Sequence, residues 1–395
     1  MRWHYGFYPT TLLEHAIAAT LIVFAVESWR GGVRRVTWRT PFTIPVLLFI
    51  VAGALSVFAA PSLLAAVGLY RAYILEPIAF AFVLVHVITS ARRAFVALAG
   101  LGVAGIVVGA PNAVVVLEAL RAHTYDVTQT PPVVIYTTAN ALALFLGPSI
   151  AVAAGILLHA SDRYARAGSA VFLVVAGPAM LLTFSRGGYL AMAAVAVGAA
   201  LSHRRKWWLL AGAVIAGALL AAIPPVFHRL EVEFQNVAGS TFFGRAGRIE
   251  LWKATLQMLR EHPIFGAGLS GFADRVAPFW NANHPERFID PHNIVLNFWV
   301  ETGVLGVIAM AWILVVAFRT AWRGSRSSDL NWRAIEIGIL LAMVAIVVHG
   351  LVDVPYFKND LSLQFWTLIG LAWAGIGYIR TRPSTGFSGR DIKPR

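Results

Sequence analysis

Three arginines and one histidine carry most of the chemistry available to this chain. Arg186 sits in Ser185-Arg186-Gly187-Gly188, a tight turn between two apolar runs with few polar residues nearby. A guanidinium keeps its charge at any ordinary pH and grips phosphate through two parallel hydrogen bonds; the competing reading is an arginine snorkelling to lipid headgroups. Arg245 and Arg248 open a helical stretch. Anions are stabilised at helix N-termini, so the two guanidiniums would make a pyrophosphate site, unless they form a solvated face pairing with Glu250 and lipid phosphates. His292 and Asn293 follow Asp290-Pro291 at the mouth of an apolar run. An imidazole of ordinary pKa, about 6.5, accepts a proton from a hydroxyl at neutral pH; the plainer reading is a helix cap. His284 and Glu286 are weaker candidates for the same role.

Two further pairs stand apart. His349 and Asp353 are four residues apart, which on a helix puts them on one face. Asp353 either holds an imidazole tautomer or simply finishes the helix. Arg71 and Glu76 lie within an apolar run, where a carboxylate must find a partner. Their spacing does not place them on one helical face, so each is expected to meet another helix, for substrate contact or for packing. No metal-binding or Walker-type signature occurs and none is expected, nor is any other cofactor. The loop acids Asp274, Glu286 and Asp290 leave a cation open.

The elements that position these groups follow from composition. The 395 residues are 58% hydrophobic and 13% charged, with a mean hydropathy of +0.70, against about 25% charged residues in soluble domains. So few charges cannot cover a water-exposed surface, which excludes a soluble globule. The formal charge of +13 does not indicate nucleic acid, because the cations lie between apolar runs. There is no cysteine, hence no disulfide. Glu14 and His15 interrupt the first apolar run and Glu27-Ser28-Trp29-Arg30 follows it, which fits a retained anchor better than a cleaved signal.

About eleven runs are long enough to cross about 30 Å of hydrocarbon: 9–27, 41–60, 66–89, 94–120, 138–158, 167–184, 187–202, 207–224, 292–318, 334–352 and 361–379. Gly109-Ala110-Pro111-Asn112 is expected to break the fourth into a short span and a partly re-entrant piece. Alternate connections and the C-terminal tail hold twenty Lys and Arg, whereas the short connections and terminus on the other side hold Arg2, Arg71, Arg121, Arg186 and Lys358. The positive-inside rule then puts the N-terminus outside and the C-terminus in the cytoplasm. The organisation is eight spans in 1–224, an extracytoplasmic loop over 225–291, three spans in 292–380 and a cytoplasmic tail over 381–395. The loop is neutral, with seven cations and seven acids, and is long enough to carry function. Within it Ile249, Trp252, Leu256 and Leu259 make an apolar stripe for a helix lying on the membrane or capping the bundle, ended by Pro263.

Several segments resemble the O-antigen ligase and O-antigen polymerase superfamily of bacterial envelope enzymes. They are Thr183-Phe184-Ser185-Arg186-Gly187-Gly188-Tyr189, Gly247-Arg248-Ile249-Glu250-Leu251-Trp252, His262 to Gly268, Pro291-His292-Asn293 and Glu301-Thr302-Gly303-Val304-Leu305-Gly306, with weaker echoes at Asn140 to Ala143 and His349 to Asp353. The resemblance implies an all-α polytopic fold similar to the GT-C glycosyltransferases in a bacterial inner membrane. It also implies metal-independent, inverting transfer of a glycan from undecaprenyl pyrophosphate to an acceptor hydroxyl of a lipid, protein or glycan outside the cytoplasm. Arg186 and Arg248, with Arg245 less securely matched, would bind the pyrophosphate, and His292 would be the base or the acceptor-positioning group. The family usually has about twelve spans with both ends inside, one more than is counted here. The alternative from another class is a transporter or flippase for a polyprenol-linked or anionic solute. Its site would sit near the midplane between repeats, and no repeat is visible. A scaffold for envelope assembly would leave the Arg and His cluster without a chemical role.

Overall fold

The computed structural model describes residues 2–5, 8–32, 40–126, 130–222, 247–280 and 287–381, with 224, 226–228 and 231 besides. Arg245, His284 and Glu286 lie outside them, so the expectations attached to those residues have no structural counterpart here. A short antiparallel hairpin, β1 (Arg2–Tyr5) and β2 (Tyr8–Thr11), leads into helices. These are α1 (Leu12–Trp29), α2 (Thr43–Ala59), α3 (Leu63–Tyr70), α4 (Glu76–Val87), α5 (Ala91–Arg121), α6 (Ala139–His159), α7 (Arg163–Leu181), α8 (Arg186–Leu201) and α9 (Lys206–Ala221). The long loop contains α10 (Arg248–Glu261) and α11 (Phe272–Val276). Then come α12 (Ile294–Gly324), α13 (Leu330–Gly350) and α14 (Asn359–Thr381).

Each of the eleven apolar runs is helical, the third as α3 and α4 joined by a π-helical turn. Among the described residues seven helices are long and apolar enough to cross a membrane: α1, the α3–α4 pair, α5, α6, α7, α12 and α13. α5 corrects one expectation, since it is a single helix with Pro111 inside rather than a span and a re-entrant piece. Neighbouring helices and side chains can absorb the lost backbone bond of an intramembrane proline, and Asn112 beside it anchors the next loop by accepting from the Val134 N–H at 3.3 Å.

In lipid, apolar surface gives helices little reason to associate, so close backbone approach and interhelical hydrogen bonds hold the bundle. α6 and α13 are its centre, buried along most of their length. They touch at Gly155 and Gly338, where a Cβ on Gly155 would come within 2.5 Å of the Gly338 Cα. At the periphery α5 and α7 turn Val103, Val107, Val171 and Val174 outward.

The π turn, Arg71–Leu75, corrects the expectation that Arg71 and Glu76 cannot meet each other, while the expectation that Arg71 meets another helix holds. On an α-helix five residues at about 100° each leave two side chains about 140° apart. Here the Glu76 N–H bonds the Arg71 carbonyl five residues back, which widens the turn and lets the Arg71 guanidinium pair with the Glu76 carboxylate on its own chain segment. Pro77, which has no N–H, leaves the Tyr73 carbonyl free, and the Tyr356 hydroxyl donates to it at 2.7 Å. Arg71 also meets Glu14 of α1 at 3.0 Å, and Asn359 donates to Glu14 at 2.9 Å. This cluster ties α1, the π turn and α14 together and does not line the cavity described next.

Candidate functional site

Five helices begin at one cavity of ≈ 440 Å³, within the range of small-molecule sites. Its wall includes Ala139, Asn140 and Ala141 from the start of α6, Arg186 and Gly187 from the start of α8, and Arg248 from the start of α10. His292 precedes α12, and Lys358 precedes α14. Thr138, Ser185 and Asn293 cap α6, α8 and α12 with their own side-chain oxygens, which is what Thr, Ser and Asn do best at such positions. Gly247 caps α10 without a side-chain bond. Helix N-termini carry partial positive charge, so the starts of α6, α8, α10 and α14 at this wall favour an anion before any side chain is counted.

Arg186 is the first residue of α8, reached through Phe184 at φ +50°. The turn lies against His349, for a Cβ on Gly187 would come within 2.9 Å of the His349 Nε2. His349 is buried and supports the turn from below rather than lining the cavity. α13 ends at Gly350, so Asp353 is not on one helical face with His349, and the imidazole lying close to its carboxylate at 3.5 Å is that of His292. Arg248 donates from Nε to the Val352 carbonyl at 2.8 Å, so the segment that places Asp353 also holds α10. Asn293 donates to the Leu351 carbonyl at 3.0 Å and does not line the cavity.

His292 takes φ +49°, stabilised by its own N–H bonding the Asp290 carboxylate at 3.0 Å. Its Nδ1 lies 3.0 Å from Asp290 and 3.5 Å from Asp353, and Phe288 packs edge-on against the ring. Burial by itself would lower the imidazole pKa, but the two carboxylates outweigh it and push it up to about 9. Carboxylates that hold the ring protonated at neutral pH leave it no lone pair to accept a proton there, so these surroundings favour a cationic, positioning role for His292 over the expected base. Burial would raise Asp353 in turn, yet the adjacent His292 and the Val354 N–H hold its carboxyl below the ordinary value.

The loop helix α10 is amphipathic, with its buried face turned from the expected four-residue stripe, of which Leu259 is buried and Ile249 and Trp252 are half-buried. Leu251, Ala254, Thr255, Met258 and Leu259 are buried against Phe272, Val276 and Val300, while Leu256 is exposed. The face is centred on Leu251, Ala254 and Met258 rather than on Trp252 and Leu256. Trp252 instead donates from its ring N–H to the Pro291 carbonyl at 2.9 Å, linking α10 to the His292 turn.

The segment after α10 is locked into a break in α12. Gly303 there has φ +69°, which frees backbone groups. The Ala267 N–H bonds the Val300 carbonyl at 2.8 Å, and the Val304 N–H bonds the Ile264 carbonyl at 3.0 Å. Buried Glu301 accepts from the Ser270 N–H at 2.8 Å, and Ser56 of α2 accepts from the Leu269 N–H at 3.1 Å. Arg248 and His292 therefore sit on one rigid unit.

The structure thus gathers Arg186, Arg248, His292 and Asp353, leaves His349 and Asn293 just behind them, and separates Arg71 and Glu76. Asp290, Lys358 and Asn140 line the same cavity. In the sequence Asp290 is one loop acid among seven and Lys358 one cation on the cation-poor side.

Comparison with known proteins follows the same residues. Residues 169–311 match the family model described as O-Antigen ligase, a segment running from α7 into α12 and holding Arg186, Arg248 and His292. An O-antigen ligase of Pseudomonas aeruginosa is 28% identical over 235 residues, 56% of this chain and 50% of that protein. The match thus spans half the length of the curated relative. Both likenesses bear out the motifs: the chain resembles the O-antigen ligase-like superfamily.

Proposed function

We propose that the chain is a membrane-embedded glycosyltransferase of the O-antigen ligase or polymerase type, similar in architecture to the GT-C enzymes. It moves a glycan from undecaprenyl pyrophosphate to an acceptor hydroxyl at the extracytoplasmic face of a bacterial inner membrane. One observation carries the reading: Arg186, Arg248 and a cationic His292, from three different helix starts, meet in one cavity. All eleven helical runs cross the membrane in this reading, with the cavity outside and the C-terminus inside, as the distribution of cations favours.

Catalysis needs charge stabilisation at the departing phosphate oxygen and removal of the acceptor proton. The two guanidiniums hold the diphosphate. As the anomeric C–O bond breaks, its electron pair passes to the phosphate oxygen. The acceptor oxygen forms the new bond from the opposite face, which inverts the centre. His292 positions the acceptor and adds positive charge, and the proton leaves to the Asp290 carboxylate beside it. Arg245 is a further pyrophosphate contact in this reading.

The test is purified protein supplied with polyprenyl-diphosphate-linked glycan and candidate acceptors, followed by product analysis. Arg186→Ala, Arg248→Ala and His292→Ala are expected to cut transfer by about a hundredfold or more while membrane insertion is unchanged. Wild-type rates in all three variants sink the assignment, and movement of substrate across sealed vesicles with no bond formed favours a transporter instead.

A further inference from the structure

Lys358 is the residue just before α14 and lines the cavity, half-buried, between Phe357 and the α14 N-terminus. The other cavity cations are engaged by protein groups: Arg186 is not free, Arg248 is held by the Val352 carbonyl and His292 by Asp290 and Asp353. Among the described residues the Lys358 side chain has no hydrogen bond or ion pair. A lysine ammonium is a point charge on a flexible stem, without the fixed fork of a guanidinium.

Charge accounting gives this group a specific place. The cavity wall holds Arg186, Arg248 and His292 together with Asp290 and Asp353, a surplus of one positive charge, which Lys358 raises to two. The proposed donor is a diphosphate diester. Loss of the glycan turns it into a monoester with one more negative charge, which builds up as the glycosidic bond breaks. A cation on a flexible stem, held by no partner among the described residues, can follow that charge.

We propose that Lys358 is a further catalytic residue, whose ammonium neutralises the negative charge that appears on the lipid diphosphate as it leaves. This rests on the glycosyl-transfer reading above. The bond changes are those already given, with the electron pair of the broken C–O bond ending on a phosphate oxygen beside the ammonium; Lys358 itself neither gains nor loses a proton.

Lys358→Met and Lys358→Arg test it, with farnesyl diphosphate as the monoester probe and farnesyl-diphospho-N-acetylglucosamine as the diester probe. The Met variant is expected to lose about tenfold in affinity for the monoester and less than about threefold for the diester. Its kcat for glycan transfer should fall about tenfold with donor KM little changed, the signature of an interaction made mainly in the transition state. The Arg variant should restore most of both. A Met variant that matches wild type, or that loses both ligands equally with no rescue by Arg, overturns the role of Lys358. A wild-type protein that binds neither probe and transfers nothing overturns the glycosyl-transfer reading itself.

Discussion

His292 shows how neighbours rewrite the chemistry of a side chain. Its folded pKa of about 9 lies above the ordinary value of about 6.5. The stabilisation from Asp290 and Asp353 is therefore complete below about pH 6.5 and is lost as pH rises through about 9. Anion affinity should fall through the same window near pH 9, by several-fold, because one of the cavity's positive charges disappears. Titrating farnesyl diphosphate binding between pH 7 and 10 checks this, with His292→Gln expected to bind more weakly at pH 7 and to lack the inflection near 9. An inflection near 6.5 in the wild type would mean that the carboxylates do not control the ring. The histidine itself was legible in the sequence. Its charge was not, since the Asp290 carboxylate meets the ring through the turn at His292 and Asp353 reaches it only through the turn after α13.

At the scale of elements, the break in α12 decides where the loop sits. Gly303, Gly266 and Gly268 all have positive φ, and a Cβ would come within 2.3 Å of the Ile264 carbonyl oxygen, 2.1 Å of the Trp299 carbonyl oxygen and 2.6 Å of the Ala60 Cα, respectively. Gly303→Ala or Gly268→Ala should therefore cost about 2–4 kcal/mol through strain and overpacking. Either should free the loop to protease and raise donor KM about tenfold by loosening Arg248. Gly177→Ala in α7, where a Cβ meets nothing within 4 Å, is the matched control and should be silent. Melting temperature, limited proteolysis and steady-state kinetics on the three variants decide the matter. Hydropathy located α12 but not its break, because a glycine in an apolar run has the same local signature whether it stays helical or turns left-handed. The π turn escaped for a similar reason: Pro77 marks a defect, and the Tyr356 hydroxyl that stabilises it lies far along the chain.

For the whole molecule, the bundle is organised around the Gly155–Gly338 contact, and a side chain there should part α6 from α13. Gly338→Leu would drive into the Val152 backbone, whose carbonyl oxygen lies 2.9 Å from a Cβ at this position, and should lower the melting temperature strongly and abolish ligand binding. Single cysteines introduced into this cysteine-free chain test orientation. Labels at Asp360 should react from outside and labels at Arg204 from inside, and the reverse pattern would place the cavity in the cytoplasm. Composition by itself determined that the chain lives in lipid and where its apolar helices run, because the cost of exposing polar backbone in hydrocarbon leaves few solutions. Spacing also exposed Arg186, Arg248 and His292 as candidates, since charged groups at a membrane boundary stand out against apolar surroundings. Only the tertiary structure decided that these three share a cavity, that Asp290 and Lys358 join them, and that Arg71 and Glu76 serve the packing of α1 and α14 instead. Which helix starts converge is set by close backbone contacts between residues distant in sequence, and no local pattern encodes that meeting.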